Sequence, residues 1–304
     1  MAATAAAVVA AAVVAAAVAV KPPDRVGLGW RGELAAGILA NLALIDVLEV
    51  IADDYFHASA SAVCALCALA RQVPVSLHGV AMGLASTIAV EPHRLQAMAR
   101  LVRQVRPESW SEHLSFVRAG GIEIGHLAAP PRSLRSVAGT VANIARATEV
   151  VGSAPMMENV ASLIAPPASD MDEAQWLSSV IEAAGVPLLL DLHNLYANAL
   201  NFGLDPHATL LSLPLHRIGA VHLSGGRWIA EPDQAPSQAP RMRLLDDHVH
   251  DVPAPVYALL TALAHHAPQP LTVYIERDGN FPCFEHLLAQ LEMARAALRL
   301  GRAA

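Results

Sequence analysis

Aromatic residues are scarce: Phe, Trp and Tyr make up 4% of the 304 residues, against 54% hydrophobic residues in all. Ala, Val and Leu must therefore fill most of the interior, and the chain is long enough for one large core or two modest ones. Cysteine is scarcer still. Cys64, Cys67 and Cys283 cannot make a disulfide framework, so a reducing compartment, and with it a cytoplasmic location, is the expectation. Cys64 and Cys67 form a CxxC, but it lies inside SAVCALCALARQ. That stretch has the pattern of an amphipathic helix, and two small apolar residues on one face explain it better than a redox or zinc pair. A basic excess is also missing. The formal charge of −7 speaks against nucleic acid as a partner, because its binders carry a basic footprint.

Residues 1–20, MAATAAAVVAAAVVAAAVAV, contain no charged side chain. The basic n-region of a signal peptide is absent. The stretch is long enough to span a bilayer, but alanine contributes little to insertion. A disordered or helical extension ranks first, a cleaved export segment second and a membrane anchor third. Lys21-Pro22-Pro23 reads as a linker. The expected organisation is an extension over 1–24 and one folded domain over 25–304.

What is present from Arg25 onward is a repeated grammar: a short apolar run, a polar or glycine-marked end, then a helical pattern. Strands are expected at VGLGW (26–30), DVLEV (46–50), VSLHG (75–79), SWSEHLS (109–115), PMMENV (155–160), PLLLDLHN (187–194), IGAVHLS (218–224) and LTVYIERD (271–278). Helices are expected at ELAAGILANLAL, SAVCALCALARQ, PHRLQAMARLVRQV, SLRSVAGTVANIARATEV, MDEAQWLSSVIEAAG, DPHATLLSL, PAPVYALLTALAHHA and CFEHLLAQLEMARAALRL. Strands alternating with helices in this way predict an α/β fold, a single (β/α)8 TIM barrel. The alternative, an open doubly wound sheet, is weakened because no GxGxxG follows the first strand.

The strand ends are unusually polar. Glu49 ends the second strand, His78 the third, Glu112 and His113 the fourth, Glu158 and Asn159 the fifth. Asp191, His193 and Asn194 end the sixth, His222 the seventh, and Glu276, Arg277 and Asp278 the eighth, with LLDDHVHD (244–251) just before it. A barrel brings all these ends to the face where barrel active sites are built. Taken singly, each has a plainer reading: a hydrogen-bonded core histidine at His78, or a surface charge cluster at 276–278. Together, bare buried carboxylates would repel one another and shift each other's pKa, whereas bound cations would remove the conflict. His and carboxylate donors without thiolate point away from structural zinc. So many convergent donors suggest two or three metals sharing carboxylates.

The motifs SLHGV (76–80), SEHLS (111–115), MENV (157–160), LLLDLHNLY with NFGLDP (201–206), VHLSG (221–225), DDHVHDVP (246–253) and IERD (275–278) resemble the DUF692 family. Its members are methanobactin-B-like multinuclear non-haem iron oxidases on a xylose-isomerase-like barrel, and the resemblance runs from about Val26 to the last helix. It implies two or three iron ions held by His78, Glu112, Glu158, Asp191, His193, His222, Asp246, His248 and Glu276, with Asn159 beside them. Glu112, Asp191, His193 and Glu276 carry the catalytic expectation. The resemblance further implies dioxygen as co-substrate, a cysteine-containing ribosomal precursor peptide as substrate, and a small partner protein that captures it, in natural-product biosynthesis. Asn194, Asp247 and Asp251 are expected to orient ligand histidines, Tyr196 and Arg277 to pack behind them, and His250 to ligate or to support His248. Two positions depart from the family pattern: Asp53-Asp54-Tyr55 replaces its usual Glu-Asn-Tyr, and Gly226 stands where a histidine is usual. The loop RWIAEPDQAPSQAPRMR (227–243) bears on substrate contacts. The rival readings are a zinc- or manganese-dependent hydrolase or isomerase on the same barrel, similar to endonuclease IV or a sugar isomerase, and a non-catalytic metal-dependent peptide scaffold.

Overall fold

The computed structural model describes residues 23–230 and 242–304. The expectations for residues 1–20 and for most of the 227–243 loop lie outside the described residues. Eight parallel strands close a barrel: β1 (Arg25–Gly29), β2 (Leu48–Ile51), β3 (Val75–Gly79), β4 (Ser109–His113), β7 (Met156–Glu158), β8 (Leu188–Asp191), β9 (Ile218–Leu223) and β12 (Thr272–Ile275). Ring closure comes from β1, which pairs with β2 on one side and β12 on the other. Helices α1 (Ala35–Ala40), α2 (Ala60–Leu69), α3 (Pro92–Val105), α4 (Leu134–Val151), α5 (Glu173–Ala184), α6 (Leu192–Phe202), α7 (Pro206–Leu211), α8 (Ala254–His266) and α9 (Phe284–Ala303) connect the strands. The expected TIM barrel is the observed fold.

Strand alternation explains the two cores. One face of each strand packs on the helices in a large cluster rich in Leu and Val. The other face contributes a smaller apolar cluster inside the barrel, Val47, Met156, Leu189, Ala220 and Tyr274. Side chains on one face of a strand recur every second residue. Two positions beyond each of those five stand Glu49, Glu158, Asp191, His222 and Glu276, all buried. An apolar plug thus lies directly beneath a polar layer. On β1 the wall is too close for a side chain: a Cβ on Gly27 would collide with the carbonyl oxygen of Val47.

Three local expectations need correction. The sixth strand does not run to Asn194; it ends at Asp191, and His193 and Asn194 lie in the first turn of α6, a helix the apolar pattern concealed. The physical reason is the cap: the Asp191 carboxylate accepts a 2.6 Å hydrogen bond from the Asn194 N–H, which favours helix entry there. The fourth strand stops at His113, and an antiparallel hairpin follows, β5 (Phe116–Ala119) and β6 (Ile122–Ala128). Its two-residue turn, Gly120-Gly121, has positive φ at both positions, the geometry that glycine allows in tight hairpins. A second hairpin, β10 (Gly226–Ala230) and β11 (Met242–Asp246), was also unforeseen.

Candidate metal centre

Two groups of ligand-type atoms converge inside the barrel mouth, the atoms of each lying within 4.8 Å of one another: His78, His113 and Glu158; and Glu158, Asp191, His222 and Glu276. Glu158 belongs to both. Its Oε2 stands 3.3 Å from the Nε2 of His78 and of His113, and its Oε1 3.2 Å from His222 Nδ1. Glu276 Oε2 approaches the same His222 Nδ1 at 3.0 Å. Among the described residues, Glu158 Oε2, Asp191 Oδ2 and Glu276 Oε2 are buried with no hydrogen-bond partner. Buried polar atoms are rarely left so, and orphaned carboxylate oxygens within these two groups fit bound cations. Asp191 divides its labour: Oδ1 caps α6 and Oδ2 is the orphan.

Electrostatics agree. Burial alone would lower the His113 pKa, but the Glu158 and Glu112 carboxylates raise it to about 9. Burial also opposes charging of His222, yet Glu276, Glu49 and Glu158 hold it well above its ordinary value. Asp191 is pushed up by burial and by Asp246 and Glu158. Against burial, His222 and His248 keep Glu276 well below the carboxylate range. Without metal, protons on histidines supply the positive charge that the carboxylates require.

Orienting contacts come from unexpected residues. His78 Nδ1 lies 2.8 Å from Ser111 Oγ, and His113 Nδ1 lies 3.2 Å from the Gly79 carbonyl oxygen. Such partners fix ring and tautomer, leaving Nε2 toward the ligand. Of the residues expected in this role, Asp247 meets a histidine that the sequence singled out, and the other two do other things. Asn194 donates to the Asn159 carbonyl, Asp247 meets His250, and Asp251 meets Arg277 and His286. Arg277 also donates to the carbonyls of Gly279 and Asn280, and the Tyr196 ring lies 6.4 Å from that of His193.

Five expected ligands stand apart from the two groups. Glu112 alternates with His113 and faces outward, accepting from the backbone N–H groups of His113 and Met82. Asn159 clamps Asp191, its side chain accepting from the Asp191 N–H (2.9 Å) and donating to the Asp191 carbonyl (3.0 Å). His193 Nδ1 lies 2.7 Å from Asp246 Oδ1, while Asp246 Oδ2 holds His248 Nε2 at 2.8 Å. His248 adopts φ +54, an uncommon backbone state for a residue with a side chain. This His193–Asp246–His248 arm adjoins the four-residue group through His248 Nδ1, 3.5 Å from Glu276. Two residues were noted at strand ends but left out of the ligand set: His113, and the buried Glu49, whose Oε2 is 2.7 Å from His222 Nε2. The strand-end signal for both was present; the two-residue spacing above the plug would have included Glu49.

A cleft of about 620 Å³ opens over the groups, lined by His113, Glu158, Asp246 and His248 and walled by Phe116, Leu163, Ile164 and Leu244. A second, mostly apolar cleft of about 490 Å³, lined by Leu177, Leu195, Phe202 and Leu213, contains neither metal group. No described helix is long and apolar enough to cross a membrane.

The closed barrel has counterparts among solved structures. A D-tagatose 3-epimerase-like protein superposes with a TM-score of 0.58 at 11% identity, covering 92% of this chain and 98% of that one. A xylose isomerase domain protein from Alicyclobacillus acidocaldarius gives 0.56 at 16%, covering 91% and 99%. These likenesses concern the fold. Sequence relatives include a UPF0276 protein of Caulobacter vibrioides, 32% identical over 93% of this chain and 97% of its own length. Another, from Bordetella bronchiseptica, is 30% identical over 92% and 95%. Residues 25–299 match the family described as RiPP precursor modification enzyme MbnB/TglH/ChrH, and the chain belongs to that family, DUF692.

Proposed function

We propose that this chain is a multinuclear iron-dependent oxidase that modifies a cysteine of a ribosomally made precursor peptide with dioxygen, acting with a peptide-binding partner protein. The observation that carries the reading is the shared Glu158, which gives one carboxylate oxygen to each of two adjoining ligand groups. His78, His113 and Glu158 would hold one ion, and Glu158, Asp191, His222 and Glu276 its neighbour. Iron, when bound, supplies one-electron chemistry and open positions for thiolate and dioxygen.

The chain's own residues do the rest. The mouth cleft of about 620 Å³ would receive the peptide's cysteine, and its apolar wall of Phe116, Leu163, Ile164 and Leu244 would keep water from the reacting thiol. Dioxygen would be the acceptor for electrons leaving the cysteine sulfur, and a cleft that holds the peptide over His78, His113, Glu158, Asp191, His222 and Glu276 would lower the entropic cost of their encounter. The His193–Asp246–His248 arm and Asn159 fix the surrounding backbone and side chains.

The test is to purify the chain anaerobically, count its metal and incubate it with the cysteine-containing peptide encoded beside it and the partner protein. Iron above one per chain and an oxygen-dependent change in peptide mass are expected. Modification by metal-free protein would sink the reading. A second reading has its own observation: Glu158, Asp191, His222 and Glu276 alone suffice for a single zinc or manganese ion, on a barrel like those of the 3-epimerases. Zinc or manganese content with oxygen-independent turnover would favour it.

A further inference from the structure

Glu49 belongs to neither ligand group, yet it lies 2% exposed inside the barrel with Oε2 2.7 Å from His222 Nε2. In the metal-free chain the ring's hydrogen bond is made at Nδ1, 3.2 Å from Glu158 Oε1, which leaves the buried Nε2 without a hydrogen-bond partner and with Glu49 as its short carboxylate neighbour. His222 has little freedom to turn. It is fully buried, and Tyr274 packs edge-on against it, ring centres 5.9 Å apart. Its two nitrogens therefore meet different surroundings. Nδ1 faces Glu158 and Glu276, the other members of the four-residue group, while Nε2 faces Glu49. His78 and His113 are turned the opposite way, with Nδ1 engaged by Ser111 and Gly79 and Nε2 toward Glu158.

A neutral imidazole has one N–H and one lone pair, and a ligating histidine usually donates its other N–H to a carboxylate or carbonyl. We propose that Glu49 is the positioning residue of the four-residue group: once a cation replaces the Nδ1 proton, the Glu49 carboxylate, 2.7 Å away, takes up the Nε2 proton of His222 in a hydrogen bond and so keeps the Nδ1 lone pair on the cation. The inference rests on the metal-dependent reading above. It predicts that one ring of the centre ligates through Nδ1 and two through Nε2. Side-chain size alone at position 49 does not account for this; an acceptor is required.

The experiment uses the full chain, made metal-free and titrated anaerobically with Fe(II), for the wild type, Glu49→Gln and Glu49→Leu, with thermal unfolding alongside. Glu49→Gln should bind as the wild type does, because its amide oxygen accepts the same proton. Glu49→Leu should weaken binding at one position by roughly 10–100-fold and spare the His78–His113–Glu158 position. Equal loss in both variants would make Glu49 itself a ligand and overturn the inference, as would unchanged binding in Glu49→Leu. If neither variant folds, ¹⁵N NMR of the zinc-loaded wild type decides: His222 should show a metal-bound Nδ1 and a protonated Nε2, and the reverse overturns the proposal. A wild-type chain that binds no metal would overturn the metal-dependent reading, and this inference with it.

Discussion

Glu158 divides its carboxylate between two sets of neighbours, so its loss should be felt at both positions. Glu158→Gln is expected to lower the metal content of both, and His78→Ala that of one; metal counted per folded chain separates the two outcomes. Asn159, expected as a ligand, instead satisfies both the N–H and the carbonyl of Asp191. Asn159→Leu takes the acceptor from the buried Asp191 N–H at a cost of about 1–3 kcal/mol. A drop in the denaturant midpoint larger than for an exposed Asn→Leu change would show it. His113 sets a pH dependence for the metal-free protein. Its folded pKa, about 9, lies above the ordinary 6.5, so the native state gains stability from its proton below 6.5 and loses it as pH rises through 9. Thermal unfolding of metal-free protein should weaken across that window, and His113→Gln should flatten the trend.

At the scale of elements, the junction of β8 and α6 joins wall, helix cap and candidate ligand within a few residues. Leu188 to Leu190 belong to the wall, Asp191 ends the strand and caps the helix, and His193 is carried one turn onward to Asp246. Next to it, a Cβ at Gly226 would collide with the Leu245 carbonyl oxygen and lie 2.6 Å from His193 Cε1. Gly226→Ala is expected to destabilise the fold by about 1–3 kcal/mol and to displace His193, which urea unfolding and metal affinity would register. The same junction shows why sequence reading stops where it does. An apolar run followed by Asp-Leu-His-Asn fits a longer strand as well as a capped helix, because periodicity over so few residues does not separate them. Asp191 and Asn194, three apart, carried the cap signal. The hairpin after β4 was signalled by Gly120-Gly121 alone, in a stretch with no clean alternation. Strand-end chemistry was legible because His and carboxylate after apolar runs need compensation. Whether a side chain such as Glu112 turns in or out depends on pleat parity, which composition does not reveal.

For the whole molecule, the centre and the fold are thermodynamically linked. A cation that binds only the folded chain stabilises it by about 2.7 kcal/mol at a hundredfold excess over its Kd. Chelation should therefore lower Tm by on the order of 5 °C, and excess metal should restore it; a Tm indifferent to chelator would contradict a cation held by Glu158, Asp191, His222 and Glu276. The barrel itself was readable from end to end because eight apolar runs separated by amphipathic patterns leave few closed arrangements. The plug of Val47, Met156, Leu189, Ala220 and Tyr274, each two residues below a polar partner, has a consequence for how such a chain can vary. Deleting one residue between plug and partner in any of these strands would turn its carboxylate or imidazole out among the helices. Insertions in the hairpin turns would leave the ring intact. Change in chain length is therefore confined to the rim, where it alters what the mouth admits and not what the barrel holds.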